Sequence, residues 1–422
     1  MNKKTLMSFG LYAIAAIVVS AWALPQSKMM FFGVRMEFLV FGLTLAGVAL
    51  FHDKTLEVAL TGLIAVLVMK ILGDGAFKPV THFIHEAPIL VNLLGLLLGF
   101  AVLARHFEQS EAPELLPRVL PDGWLGGFAL LALVFVMSAF LDNIAAAMIG
   151  GTIALHVFRK NVHIGYLAAI VAASNAGGAG SVLGDTTTTM MWIDGVAWID
   201  VTHAFAGAVP ALLFFGFFAA RQQHALQPIQ ANVEGQHRLQ WPRLIAVLMI
   251  LTGTIVTNVL LDFPAAGVWA AIVVAALFTK TDWKVVPASV KGSLFLISLV
   301  ATASMMPVET LPTASWQTAF GLGFLSSVFD NIPLTKLALD QGGYDWGVLA
   351  YAVGYGGSMI WFGSSAGVAI SNLFPQAKSV GGWIKSGWHV AVAYVLGFFV
   401  MLWAVGWVPH EPHKTAETTQ QP

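Results

Sequence analysis

Two heptapeptides carry the residues best suited to chemistry in this chain. They are Ser138-Ala139-Phe140-Leu141-Asp142-Asn143-Ile144 and Ser326-Ser327-Val328-Phe329-Asp330-Asn331-Ile332. Both read Ser-x-x-(Leu/Phe)-Asp-Asn-Ile, and both set a carboxylate and a carboxamide inside an otherwise apolar run. An ionisable side chain in such a setting is expensive and by default marks an ion or substrate pathway. A third carboxylate, Asp185, belongs to the tract running from Ser174 and Asn175 to Thr186, Thr187, Thr188 and Thr189. That tract packs one carboxylate, one carboxamide and six hydroxyls into sixteen residues. Carboxylate, carbonyl and hydroxyl oxygens are what hard cations prefer, although a threonine hydroxyl can equally be spent on the preceding helical turn. The matching tract, Ser358 to Ser365, has Ser364 where the first has Asp185. Three carboxylates crowded into an apolar setting make at least one exchangeable with a proton near neutral pH. A site that holds either Na⁺ or H⁺ is what an exchanger of the two ions needs.

The elements that position these groups are read from hydropathy. Of the 422 residues 57% are hydrophobic and 10% charged, against roughly 25% charged in a soluble domain. Mean hydropathy is +0.77. Continuous apolar runs rather than alternating ones indicate an all-α polytopic membrane protein. Spans are predicted at 6–24, 30–51, 56–72, 88–104, 204–220, 244–261, 265–278, 292–306 and 383–408, with spans interrupted by glycine at 164–193 and 346–373. Segments 124–158 and 313–339 are too long for one span and too short for two, and each has a heptapeptide at its middle. If both are re-entrant hairpins, fifteen of the 21 Lys and Arg fall on one side of the membrane, as the positive-inside rule requires. The expected fold is about eleven transmembrane helices plus two hairpins, in the cytoplasmic membrane, with the N-terminus inside and the C-terminus outside. Residues 6–24 could pass for a cleaved signal peptide, but a retained helix fits this topology.

Gly177-Gly178 is followed by Gly184, and Gly356-Gly357 by Gly363 at the same spacing. The order of hairpin and then glycine-broken span therefore occurs twice, entering from opposite faces. Inverted repeats with broken helices are an architecture of secondary transporters. The chain divides into N-terminal scaffold helices at 1–78, a first repeat at 79–220, a cytoplasmic loop at 221–243, a second repeat at 244–408 and a tail at 409–422.

Other groups read less specifically. Lys336 is expected to extend toward the outside along its apolar stem rather than pair with a transport-site carboxylate, which is the alternative. Glu86 is a proton-access group or an interfacial anchor, Arg35 and Glu37 an interfacial pair, and His156, His163 and His203 anchors at span ends. A net charge of −1 leaves no basic face for nucleic acid. Cysteine is absent, and His-Glu-x-x-His, Gly-x-Ser-x-Gly and phosphate-loop patterns are missing, so no enzyme chemistry is legible. No cofactor is implied. The lipid bilayer, monovalent cations and protons are the expected partners.

At Phe140-Leu141-Asp142-Asn143, Asn175-Ala176-Gly177-Gly178, Gly184-Asp185-Thr186-Thr187-Thr188, Phe329-Asp330-Asn331-Ile332-Pro333 and Gly356-Gly357-Ser358 with Gly363 to Val368, the chain resembles the NhaD-type sodium/proton antiporters. These sit in the ion transporter superfamily with sodium-coupled citrate and dicarboxylate carriers, and the resemblance runs from about residue 80 to the C-terminus. The carboxylate carriers put Ser-Asn-Thr at the hairpin tips, where this chain has Asp-Asn-Ile. The resemblance implies Na⁺ or Li⁺ exchange for H⁺ by an elevator-like transport domain on a homodimeric scaffold. The essential groups it implies are Asp142, Asn143, Asn175, Asp185, Thr187 and Thr188, then Ser326, Asp330, Asn331, Ser358, Ser364 and Ser365, with Glu86 as a lesser one. Na⁺ is expected at Asp142, Asn143, Asp185, Asp330 and Asn331. A sodium-coupled carboxylate or oxyanion carrier is the alternative.

Overall fold

The computed structural model describes residues 30–31, 34–51, 54–229 and 238–410, so the predicted span at 6–24 and most of the C-terminal tail lie outside the described residues. Within them the chain is helical. The one extended pairing is an antiparallel ladder two residues long, Met30 against Arg35 and Phe31 against Val34. Six helical stretches are long and apolar enough to cross a membrane: Thr55–Gly73, Pro79–Glu108, Trp198–Leu226, Trp241–Leu261, Val285–Ala303 and Trp388–Val405.

We number the principal helices α1 (Met36–Leu50), α2 (Thr55–Gly73), α3 (Pro79–Glu108), α4 (Trp124–Ser138), α5 (Asn143–Val157), α6 (Ile164–Ala179), α7 (Thr186–Ile193) and α8 (Phe205–Leu226). They continue as α9 (Trp241–Leu261), α10 (Pro264–Ala275), α11 (Val285–Ala303), α12 (Trp316–Ser326), α13 (Asn331–Gln341), α14 (Trp346–Gly356), α15 (Ser365–Leu373) and α16 (Trp388–Val405). Helix α3 begins nine residues before the predicted span. Pro79 starts it at a position where a missing N–H costs nothing, and the internal Pro88 does not stop it. Helix α8 runs on through His224 to Leu226, past the predicted span end at 220.

The two segments of awkward length are each a pair of short helices. Helices α4 and α5 have 15 residues apiece, about 22 Å at 1.5 Å per residue. Helices α12 and α13 have 11, about 16 Å on the same rise. None reaches the roughly 30 Å of a hydrocarbon core. Each pair turns at its Asp-Asn, because Asp142 and Asp330 adopt extended backbone at the N-caps of α5 and α13.

The broken spans pack directly onto these pairs. Helix α6 lies against α4, and α14 against α12. At the contact, a Cβ on Gly177 would run into the carbonyl oxygen of Phe135, and one on Gly356 into that of Gly323. Backbone meets backbone twice in the same way. The first serine of each heptapeptide fastens the joint: Ser138 Oγ donates to the Ser174 carbonyl at 2.6 Å, and Ser326 Oγ to the Val353 carbonyl at 2.7 Å. The second arms also cross over, α5 packing on α15 and α13 on α7, while α6 and α14 meet each other. The four breaks are thereby gathered in one place.

Gly177→Ala and Gly356→Ala should each destabilise by about 1–3 kcal/mol or more, since overpacking here presses on backbone that cannot rotate away. Gly42→Ala and Gly292→Ala, with open space around them, should not. Thermal unfolding followed by tryptophan fluorescence in detergent separates the two pairs; equal behaviour would refute the close-approach account.

Candidate functional site

Four helices begin where the breaks meet, and the residue at each N-cap is one of the polar residues singled out by type and spacing. Asp185 caps α7: its Oδ1 accepts from the Thr187 amide and the Thr187 hydroxyl, both at 2.8 Å. Asp330 caps α13 by accepting from the Ile332 amide at 3.0 Å. Ser364 caps α15 by accepting from the Gly367 amide at 3.3 Å. Asp142, at the N-cap of α5, makes no side-chain cap hydrogen bond. Its carboxylate instead lines a cavity of 640 Å³.

A chain of carboxamides joins the caps. Asn143 Nδ2 donates to Asp185 Oδ2 at 2.8 Å and to Asn175 Oδ1 at 3.1 Å. Asn175 Nδ2 donates in turn to Ser358 Oγ at 3.0 Å and Ser364 Oγ at 3.1 Å. Asn143, Asn175, Asp185, Ser358 and Ser364 are all buried. The groups satisfy one another, as burial requires. Both bonds made by Asn143 leave from its nitrogen, so its carboxamide oxygen is not used by them.

The cavity runs from this network to a charged mouth. Asp142, Asp185, Thr186, Thr189 and Ser365 line its deep end; Arg105, Glu108, Asp282 and Lys284 also line it. Arg105 Nε donates to Asp282 Oδ2 at 3.1 Å and Nη1 to Glu108 Oε2 at 3.0 Å. The hydrogen bond from Arg105 holds the Asp282 carboxyl below its usual range, so the mouth keeps its ion pairs at neutral pH. Asp330 faces a smaller cavity of 200 Å³ with Ser364 and Ser365.

Several sequence-predicted residues play other parts. The Thr188 hydroxyl donates to the carbonyls of Ser181 and Asp185 at 2.6 and 2.9 Å, and the Ser326 hydroxyl is committed to Val353. Asn331 is buried, yet its carboxamide makes no hydrogen bond among the described residues. The expectation that Lys336 extends outward does not hold: it is 2% exposed. Its ammonium lies 2.9 Å from Glu86 and 2.6 Å from Asp340, because α13 is enclosed between α11 and α7. Arg35 and Glu37 do pair, at 2.6 Å. Ser138 and Thr186 belong to the motifs noted in the sequence but not to the set of essential groups expected from it. The shared heptapeptide was a signal for Ser138, since Ser326 opens the other copy.

In the register that aligns Gly177 with Gly356 and Asp185 with Ser364, Asn175 stands opposite Gly354. Asn175 and Asp185, both of the first copy, break the symmetry within the shared network, and Ser358 of the second copy, opposite Ala179, does so as well.

The sequence profile of a family described as "Citrate transporter" matches residues 49–356. The chain is 24% identical to "Sodium/proton antiporter 1" of Arabidopsis thaliana over 375 residues, covering 75% of this chain and 61% of that protein. It therefore spans less than two thirds of the plant protein's length. It is 27% identical to "Na(+)/H(+) antiporter NhaD" of Vibrio parahaemolyticus over 305 residues, 58% of this chain and 72% of that one. A protein of the same description from Alkalimonas amylolytica is 24% identical over 338 residues, 66% and 68% of the two chains.

Asn143→Ala removes one donor from each of two buried oxygens and should cost about 1–3 kcal/mol for each group left unsatisfied. Asn331→Ala, which breaks no such bond, should cost less. Denaturant or thermal unfolding of the two variants checks this, and a larger loss in Asn331→Ala would contradict the network.

Proposed function

The chain belongs to the citrate transporter family and is a multi-pass membrane protein, and from that premise we propose that it exchanges Na⁺ or Li⁺ for H⁺ in ion and pH homeostasis. The observation that carries this reading is the pairing of Asp142 and Asp185, two carboxylates that line the same end of one 640 Å³ cavity. Helix N-termini gathered at a midplane site ordinarily attract an anion. Here the N-caps of α5, α7 and α13 already carry carboxylates, so an organic anion would meet three negative side chains. A cation or a proton offsets them instead.

In this reading, a cation that has shed water takes oxygens from Asp142, Asp185 and the Asn143 carboxamide, with Asp330, Asn331 and the hydroxyls of Thr187 and Ser365 nearby as further donors. Protons compete for the same carboxylates, and that competition links the two fluxes. The α4–α5 and α12–α13 pairs are re-entrant hairpins of an inverted repeat, the first entering from the cytoplasm and the second from outside. Lengths of about 16–22 Å fit hairpins that stop at the midplane. The cavity mouth at Arg105 and Lys284 then faces the cytoplasm. The proposal includes the cytoplasmic membrane as location, the predicted domain limits and the homodimer that the resemblance implies.

A sodium-coupled carboxylate or oxyanion carrier is the second reading, favoured by a cavity of 640 Å³ with Arg105 and Lys284 in its lining. It gains if citrate, succinate or arsenite stabilises the purified protein only when Na⁺ is present.

The test is a pH-sensitive dye in everted vesicles. Na⁺ or Li⁺ should cause dequenching, and Asp142→Asn and Asp185→Asn should each abolish it. Thr187→Val should weaken the response by about tenfold, as loss of a hydrogen bond to a charged group does, whereas Thr188→Val, whose hydroxyl serves the backbone, should keep it. No response to Na⁺, Li⁺ or K⁺ at neutral or alkaline pH would overturn the proposal.

A further inference from the structure

Helix α3 behaves differently at its two ends. From Leu93 to Glu108 it lines the 640 Å³ cavity and stands off from Asp142. Two turns before Leu93, Glu86 is buried against Lys336 of α13, with 2.9 Å between the charges. Helix α13 is the one whose N-terminus carries Asp330 and Asn331. One turn before Glu86, His82 Nε2 meets Ser304 Oγ at 3.0 Å, which fastens the same end of α3 to the end of α11. The two carboxylates on Lys336 are not alike. Asp340 lies on α13 itself and would travel with Lys336 in any rigid movement. Of the two, it is Glu86 that ties α13 to α3. Beyond Lys336, its Oε2 has no hydrogen-bond partner among the described residues.

We propose that the Glu86–Lys336 ion pair is the contact that closes the route to the site on the side opposite the 640 Å³ cavity, and that it opens each time the site turns to that side. A buried carboxylate whose one partner is withdrawn must be reached by water or take a proton. The pair can therefore part only as that side becomes wet, and while joined it holds the closed arrangement. Glu86 and Lys336 are positioning residues: they act through α13 on Asp330 and Asn331 without touching the transported ion. The inference rests on the reading of the chain as a transporter proposed above, but not on which ion is carried.

The absence of cysteine makes introduced labels unique. Val80→Cys on α3 and Thr313→Cys before α12, both exposed positions, take spin labels for distance measurement in lipid nanodiscs. The parent should show a shorter and a longer distance. Glu86→Leu should move their ratio about tenfold toward the longer, the size expected for loss of one charged hydrogen bond. Glu86→Gln, which keeps a hydrogen bond without the charge, should lie between. Reversing the pair (Glu86→Lys with Lys336→Glu and Asp340→Asn) should restore the parent ratio. A purely structural role would lower the melting temperature and leave the ratio unmoved. An unchanged distribution in folded Glu86→Leu or Glu86→Gln overturns the inference, as does a single unmoving distance in every variant. A shifted ratio in a protein that fails the dye assay sustains the tie while removing the Na⁺/H⁺ reading.

Discussion

The structure depends on one run of buried hydrogen bonds: Asp185 to Asn143, Asn143 to Asn175, and Asn175 to Ser358 and Ser364. Its members come from α5, α6, the strand-like caps of α7 and α15, and the turn after α14. Interrupted helices leave orphan amides and carbonyls, and in an apolar interior each orphan costs free energy until it finds a partner. Asp185, Asp330 and Ser364 meet that requirement at their helix starts by accepting from the amides of Thr187, Ile332 and Gly367, and the network ties Asp185 and Ser364 together. Removing any one member strands its neighbours, so the geometry is held as a unit rather than residue by residue.

Around that network the two heptapeptides and the glycine pairs that follow them make matching contacts. Gly177 and Gly356 admit the backbones of Phe135 and Gly323, and Ser138 and Ser326 bond the carbonyls of Ser174 and Val353. These paired contacts build the frame and are close to symmetric. The polar content is not. Asn175 faces Gly354 in the register of the repeat and Asp185 faces Ser364, which places two carboxylates, Asp142 and Asp185, on the large cavity and leaves Asp330 on the small one. Frame and function separate along that line: what is symmetric shapes the site, and what is asymmetric charges it.

Much of this was legible because membrane burial makes polar residues conspicuous. Asp142, Asp185 and Asp330 stood out against apolar runs, and Gly-Gly with a third glycine at fixed spacing marked both breaks. The lengths of segments 124–158 and 313–339 anticipated pairs of short helices. Other features depend on tertiary contacts that no spacing encodes. Lys336 has a stem long enough to reach polar surroundings, and only the enclosure of α13 shows that its partners are Glu86 and Asp340. Thr188 is the same residue type as Thr187, yet one hydroxyl turns to backbone carbonyls and the other to Asp185, a difference set by helical phase relative to the break. Helix α3 extends beyond the apolar span 88–104 at both ends, because hydropathy marks only the part that lipid must cover, and a membrane helix tolerates proline such as Pro88.

The central claim is that one set of carboxylates serves both ions, so that binding Na⁺ must expel a proton. The most direct measurement is the pH of a weakly buffered solution of the purified protein when NaCl is added, against choline chloride as control. The account predicts proton release that saturates with Na⁺ and vanishes in Asp185→Asn and Asp142→Asn. Saturable Na⁺ binding with no proton released, or release that persists in both variants, would contradict it.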